Sequence, residues 1–356
     1  MIWASWRQFR VPAGIAAAAL VVVAIALTIT GTHLAHLYDT TVATCHATSD
    51  CSAAKSALLG TYGPLQNAAS ALLIATPAAI GIFWGAPLLA REFEMGTWRL
   101  AWTQGSSRSR WLGVRFAMIG FASVAVAGLL SLLVTWWFSP IDEVNMNRLV
   151  PAVFDARGIV AIGYAAFAFA VGVTAGLLIR RTLPAMATTL AAFIGARVAV
   201  ASWLRPHFMA PVKSVIALHD VFGAGIQQTP TGLSYVQPAD VPNAWIFANE
   251  VVNNAGQAPT VQFLQRACPS MFSDSGAPPP NSGVGGTGIV TSGPTRNPNV
   301  NFSQCAARVG ARFHELVTYQ PGSRYWAFQW YETALFVGAA IVLVALCFWW
   351  IRRRLS

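Results

Sequence analysis

The chain alternates between long uncharged apolar runs and short polar breaks studded with Arg. Six runs reach about 20 residues, the length a helix needs to cross a hydrocarbon core of ~30 Å. They are Val11–Gly31, Ala68–Ala90, Phe116–Phe138, Gly158–Ile179, Leu183–Leu204 and Phe328–Ile351. Only the last two contain a charge, Arg197 and Glu332 respectively. The pattern predicts an all-α polytopic membrane protein with six transmembrane helices and a long polar insertion between spans five and six.

Composition agrees with a bilayer as solvent. Of 356 residues, 55% are hydrophobic and only 10% charged, where a soluble domain carries roughly 25% charged residues. A soluble fold of this size could not hide so much apolar surface. The net charge is +10, but of the 23 basic residues only Lys55 and Lys213 are Lys, and the Arg residues mostly flank the apolar runs. The charge therefore reads as membrane topology facing anionic lipid, and not as a nucleic-acid footprint.

Orientation follows from the basic residues near the span ends. With the N-terminus inside, the short inner segments carry Arg7, Arg10, Arg91, Arg99, Arg108, Arg110, Arg115, Arg180, Arg181, Arg352, Arg353 and Arg354; the short outer ones carry Lys55, Arg148 and Arg157. Twelve against three puts both termini in the cytoplasm of a multi-pass plasma-membrane protein. The first apolar run is longer than a signal-peptide core, and no small-x-small cleavage site follows it promptly. Four of the five Cys fall in segments placed outside: Cys45, Cys51, Cys268 and Cys305. An even count there fits disulfides in an oxidising compartment. Three pairings exist, and the local one, Cys45–Cys51 with Cys268–Cys305, is preferred; four free thiols, or a zinc site from Cys45, His46 and Cys51 with His33 and His36, are the alternatives.

The expected organisation is then as follows. Residues 1–10 form an interfacial helix carrying Trp3, Trp6, Phe9, Arg7 and Arg10. Residues 11–204 hold the first five spans, with a cytoplasmic connection at 91–115. Residues 205–327 form an extracytoplasmic domain, in which the Gly-, Pro-, Ser- and Asn-rich stretch 276–299 cannot build a core and reads as disordered. Residues 328–356 supply the last span and a basic tail. The outer loop Thr32–Asn67 reads as polar, with short helices around its disulfide. Pro77, Pro87, Gly81 and Gly85 are expected to kink or loosen span two, and Gly172-x-x-x-Gly176 permits close helix approach in span four.

The connection after span two is the most informative segment. It runs Arg91-Glu92-Phe93-Glu94-Met95-Gly96-Thr97-Trp98-Arg99-Leu100 and, past a turn near Gly105, through Arg108 and Arg110. It reads as a short amphipathic helix, a turn and a basic re-entry. Here the chain resembles the permease subunits of ABC-2 type transporters, which carry a Glu-rich stretch, Gly-Thr, an apolar stretch, a turn and a returning Arg. Glu92, Glu94, Gly96, Thr97, Leu100 and Arg110 stand in that order. The opening Met1-Ile2-Trp3-Ala4-Ser5-Trp6-Arg7-Gln8 and Phe83-Trp84-Gly85-Ala86-Pro87 also resemble actinobacterial permeases of this class. At the turn, where the family frequently has Pro, Gln104-Gly105 stands here, and the large segment before the last span also departs from the better-known members.

The resemblance implies a type V exporter-like architecture. It further implies a coupling helix that docks on a separate ABC ATPase, with Glu92, Glu94, Gly96, Thr97, Arg99, Leu100 and Arg110 at the contact, and a homodimer or a heterodimer with a second permease. ATP and Mg²⁺ would bind on that partner. This chain is not expected to be an enzyme, since neither Lys follows a Gly and no G-x-x-x-x-G-K-[ST] loop exists. Glu92 and Glu94 could instead pair locally with Arg91 or Arg99.

Arg197 lies roughly 20 Å up its span and Glu332 near the outer end of the sixth, within roughly 8 Å of the same depth. They form a candidate pair on a transport path; the alternative is that Arg197 snorkels and Glu332 sits at the interface. No catalytic or metal constellation is evident. A membrane-anchored ligand-binding or sensor protein and an ion-coupled secondary transporter remain as other functional readings.

Overall fold

The computed structural model describes residues 2–45, 51–96, 108–145, 148–217, 225–229, 232–236, 241, 243–267 and 307–354. It separates into two units, one made of Met1–Met209 with Ser323–Ser356 and the other of Ala210–Gly322. The first unit is helical and contains six helices long and apolar enough to cross a membrane.

Helix α1 (Ile2–Leu37) runs without a break from the N-terminal aromatic segment into the first span and ends in a π turn, Tyr38–Val42. Residues 2–10 are thus the start of a continuous rod and not a separate interfacial helix. Its Pro12 lies inside the rod. Helix α2 (Ser52–Ile80) continues through a π turn at Gly81–Gly85 into α3 (Ala86–Glu94). The segment read from sequence as a polar outer loop is therefore largely helix: the first two spans extend toward each other and meet at a tip closed by the Cys45–Cys51 disulfide. Polar residues on these extensions misled the reading, because a helix pair can leave the membrane without ending.

Helix α4 (Arg108–Asn145) forms the third span, and the short α5 (Pro151–Asp155) turns the chain back. Helix α6 (Val160–Ile179) is the fourth span, joined by Arg180 in a left-handed conformation (φ 57°) to α7 (Thr182–Ala199). Past α7 come a π turn (Val200–Leu204) and a 3-10 turn (Arg205–His207). The last span, α8 (Tyr325–Arg354), completes the bundle.

Helix α6 is the hub. Its most apolar window is 72% buried, against 6% in the first span and 22% in the fifth and sixth. The cause is its small residues, which let backbones approach in the absence of a hydrophobic drive between helices. A methyl placed on Gly81 would stand 2.7 Å from Ala168 O, and one on Gly176 would stand 2.5 Å from Ala86 O. The Gly172/Gly176 motif thus meets the π turn of span two. That turn, where Pro87 removes a backbone donor, does not loosen the packing as the sequence suggested. It presents Gly81 and Gly85 to α6 at the closest helix contact of this group. On the far side Gly163 of α6 abuts the Thr333 backbone of α8, at 3.1 Å from a built methyl.

Two larger apolar clusters fill the bundle, beside a smaller one of Ala86, Ala90, Ala175 and Ala185 where α3, α6 and α7 meet. One joins Phe9, Leu89, Leu112, Phe116, Phe169, Leu177 and Ile351 near the Arg-rich ends. The other joins Leu27, Leu34, Leu58, Leu73, Val134, Trp137 and Phe138 toward the disulfide tip, where Trp137 Nε1 also donates to Thr30 Oγ1 (3.0 Å).

The second unit is built on strands. β1 (Val212–Ile216), β5 (His314–Gln320) and β4 (Trp245–Val252) form an antiparallel sheet in that order, and β2 (Gly225–Thr229) pairs with β3 (Gly232–Val236). A small core of Leu264, Ala267 and Val309 lies beside them. The stretch 276–299 and the Cys268–Cys305 pairing lie outside the described residues.

Candidate functional site

Two places in the helical unit concentrate polar chemistry. The first is the end of the second rod. Glu92, two residues before the end of α3, pairs with Arg115 of α4, and both side chains are largely buried. Glu94, at the last residue of α3, accepts from the Thr182 backbone N–H (3.1 Å) and from Thr182 Oγ1 (2.6 Å). It thereby caps the N-terminus of α7, where a carboxylate is favoured by the unsatisfied amides and the helix dipole. The two acids extend the span-two helix directly, in place of the separate amphipathic helix expected. Their intramolecular partners are Arg115 and Thr182, and not Arg91. Gly96 closes the helix with φ +70° and open space around it, so the chain turns sharply there. Arg110 is exposed near the start of α4. Thr97, Arg99 and Leu100 lie outside the described residues.

The second place is a buried ionic cluster near the opposite end of the bundle. Arg205, fully buried, reaches back from the 3-10 turn after α7. Its Nε donates to Glu332 Oε2 (2.7 Å) and its Nη2 to Glu332 Oε1 (2.8 Å), the two-pronged geometry that guanidinium and carboxylate favour. Nη2 also donates to Asp155 Oδ1 (2.5 Å). Arg197 donates to the other oxygen, Asp155 Oδ2 (2.6 Å). Tyr164 joins the halves: its hydroxyl donates to Glu332 Oε1 (2.5 Å), with Asp155 Oδ1 at 3.1 Å. The Arg197 guanidinium lies 3.8 Å over the Tyr164 ring, and that of Arg205 lies 4.4 Å from the Phe154 ring. Two cations face two anions, so the cluster carries no net charge. That balance is what permits four ionised groups at this depth.

Beside it the corner between α5 and α6 is fixed by polar ties. Asp142 pairs with Arg157 and, at 3.2 Å, with Arg148. Gln329 of α8 accepts from Val160 N–H (3.0 Å) and donates to Arg157 O (3.2 Å). Burial pushes the Arg157 guanidinium down to about 10, low for Arg yet still charged at neutral pH.

Arg197 and Glu332, singled out from sequence as a pair, thus belong to one cluster without bonding each other: Arg197 goes to Asp155, and Glu332 to Arg205. Sequence reasoning missed Asp155, Tyr164 and Arg205, assigning Asp155 to a loop and Arg205 to the start of the extramembrane segment. One signal was available. Asp155 and Arg205 flank apolar runs at the end where Glu332 lies near the start of the sixth run, and with Arg197 their charges sum to zero. Cys45 and Cys51 are bonded to each other, which takes both out of the zinc set considered above.

No curated protein and no solved structure matches the chain. A family model described as ABC-2 membrane transporter related matches residues 17–205, more than half of the chain, covering most of the first span, spans two to five, both acids of the second rod, and Asp155, Arg197 and Arg205 of the cluster. The chain belongs to that family and is a permease-like, multi-pass membrane component.

Proposed function

We propose that this chain is the membrane-spanning subunit of an ATP-driven exporter, coupled to a separate ABC ATPase through the end of the second rod and the connection to α4. The observation that carries the reading is the family match over residues 17–205, which includes that connection. The Arg-rich ends support a cytoplasmic location for both termini and for the Glu92–Arg110 connection, with residues Ala210–Gly322 on the other side of the plasma membrane. ATP and Mg²⁺ bind on the partner; the present chain supplies the path. Two copies, or one copy with a related permease, pair with two ATPase subunits, and closure of the ATPase pair pushes on the Glu94 end. The substrate class carried over from the family resemblance is an amphipathic or lipid-like molecule, an antibiotic or a peptide.

In this reading the two acids of the second rod have different parts. Glu92 is turned inward onto Arg115, so its role is to hold α3 against α4. Glu94 is exposed while bonded to Thr182, so it stands open to a docking partner and at the same time holds the start of span five. The test is co-purification from native membranes in mild detergent, wild type beside Glu94→Ala and Glu92→Ala, with ATPase activity read on the eluate. A P-loop subunit that accompanies the wild type supports the permease reading. Its absence under all mild conditions removes that reading.

A further inference from the structure

The spans are not attached to one another in the same way, and the contrast divides the bundle into a rigid body and a moving part. Spans two, four and six meet backbone to backbone. Gly81, Gly85, Gly172 and Gly176 bring α2–α3 onto α6, and Gly163 brings α6 onto α8, with no room for a single methyl at Gly81, Gly85, Gly172 or Gly176. Interfaces packed this tightly do not slide without separating.

Span five is different. A methyl on Gly195 of α7 would meet nothing, and most of the α7 surface is exposed, with Ala185, Thr189 and Phe193 as its buried stripe. Its apolar contact with the body is a small cluster of Ala185 with Ala86, Ala90 and Ala175, and its side-chain hydrogen bonds to other spans sit at its two ends. At the N-terminus Thr182 holds Glu94 of the second rod. At the far end Arg197 and Arg205 hold Asp155, Glu332 and Tyr164. Discrete hydrogen-bonded ion pairs exchange between arrangements, whereas interlocked backbones do not, and bistable elements of that kind carry long-range switching. The cluster also holds donors in reserve: Arg205 Nη1 and Arg197 Nε are buried and make no hydrogen bond.

We propose that span five is the moving arm of this permease, pulled at Thr182 by Glu94 and latched at its other end by the four-charge cluster. The body of spans two, four and six stays intact as far as Ala90, its last close backbone contact with Gly176, while the final turn of α3, which carries Glu94, shifts with the arm. From Thr182 the chain stays helical through α7 and the π turn to Arg205, which puts Arg197 about 22 Å and Arg205 about 35 Å from the first tie at 1.5 Å per residue, so the two polar ties lie toward opposite ends of the span and one helical segment joins them. A displacement of the coupling end then reaches the latch through the arm itself. The proposal rests on the permease reading for the source of the push, but the latch stands on the geometry alone.

The experiment uses the full chain in nanodiscs, with spin labels carried on a genetically encoded keto amino acid so that native Cys residues are untouched. An arm pair places labels at the exposed positions Ser202 and Ala334; a body pair places them at the exposed positions Ala75 and Ala334. Without nucleotide or partner, Glu332→Gln is expected to broaden the arm distance and leave the body distance unchanged. With a co-purified ATPase trapped in its ATP state, the arm distance is expected to change by at least ~2 Å while the body distance holds. Glu94→Ala in a complex that still co-purifies is expected to abolish that change. A body distance that moves as far as the arm distance, or an arm distance insensitive to Glu332→Gln, overturns the proposal. If no ATPase accompanies the chain, the permease reading fails, and the partner-free measurement still decides the latch.

Discussion

Replacing Glu332 by Ala separates a cluster that holds the bundle together from one the bundle merely tolerates. The carboxylate is fully buried and accepts twice from Arg205 and once from Tyr164. Truncation leaves Arg205 with Asp155, which it shares with Arg197, and a 3.3 Å bond to the Tyr164 hydroxyl, and shifts the cluster from balanced to one excess positive charge. Three charge-assisted bonds at about 1.5–3 kcal/mol each would overstate the loss, because the desolvation of the carboxylate disappears with it. Removing one partner of a buried pair costs about 3–5 kcal/mol, a large share of a total stability of about 5–15 kcal/mol. The assay is reversible unfolding of the full chain in bicelles by SDS titration, read by Trp fluorescence. The double variant Arg205→Met with Glu332→Leu keeps Arg197–Asp155 as a balanced pair and replaces the rest by packing. It should lie within about 1 kcal/mol of wild type, since apolar isosteres of buried ion pairs are commonly neutral or stabilising. A single truncation costing under ~1 kcal/mol, or a double variant as unstable as the sum of its single changes, would refute the reasoning.

Three further outcomes are expected. Gly172→Ala drives a methyl into the Gly81 and Ala86 backbone and should cost about 1–3 kcal/mol by overpacking, while Gly195→Ala, facing open space, should be neutral or gain up to ~1 kcal/mol from helix propensity; the same titration reads both, and equal costs would remove the distinction between body and arm. Cys45 and Cys51 should resist alkylation until reduced, as judged by peptide mass, and Cys51→Ser should cost about 2 kcal/mol because the closed loop is short; labelling of either thiol before reduction contradicts the pairing. Burial pushes the Glu315 carboxyl of β5 up from its ordinary range. The folded state then binds a proton more tightly than the unfolded state, so this group's contribution favours folding at low pH and is lost as pH rises through the raised value. Amide protection of β5 in the full chain should fall over that rise and flatten in Glu315→Gln; protection that rises instead would reverse the assignment.

How much was legible in the sequence depended on the physics of each element. Six spans were readable because apolar length is a direct consequence of bilayer thickness, and the Cys45–Cys51 bridge because its loop is local. The helical extensions toward the disulfide tip were not, since Thr, His and Gly residues there interrupt the apolar pattern without interrupting backbone hydrogen bonding. The π turn at Gly81–Gly85 was read as a weakness because Pro and Gly are judged locally, whereas their effect is decided by the α6 glycines opposite, about 90 residues away in sequence. The cluster was half legible. A charge inside an apolar run announces itself, as Arg197 and Glu332 did; Arg205 and Asp155, just outside such runs, look like ordinary flanks until the fold turns them inward. Glu94 was chosen for a partner subunit, and its bond to Thr182 could not be seen without knowing that the Arg180–Arg181 turn lands beside it.

The length of the hairpin carries a consequence of its own. The second rod runs 42 residues as continuous helix, about 63 Å, roughly twice the thickness of the hydrocarbon core. Even a strongly tilted rod leaves a stalk of some tens of ångströms projecting from one face of the membrane, paired with the end of the first. On such a stalk angles are magnified: a splay of ~10° between the two helices at the membrane surface would part their tips by ~3.5 Å over ~20 Å of helix. The Cys45–Cys51 bridge is placed where that parting is greatest. A covalent clip at the tip therefore governs the angle between the first two spans at their base with more authority than the same clip placed near the bilayer, and its redox state sets how freely those spans diverge.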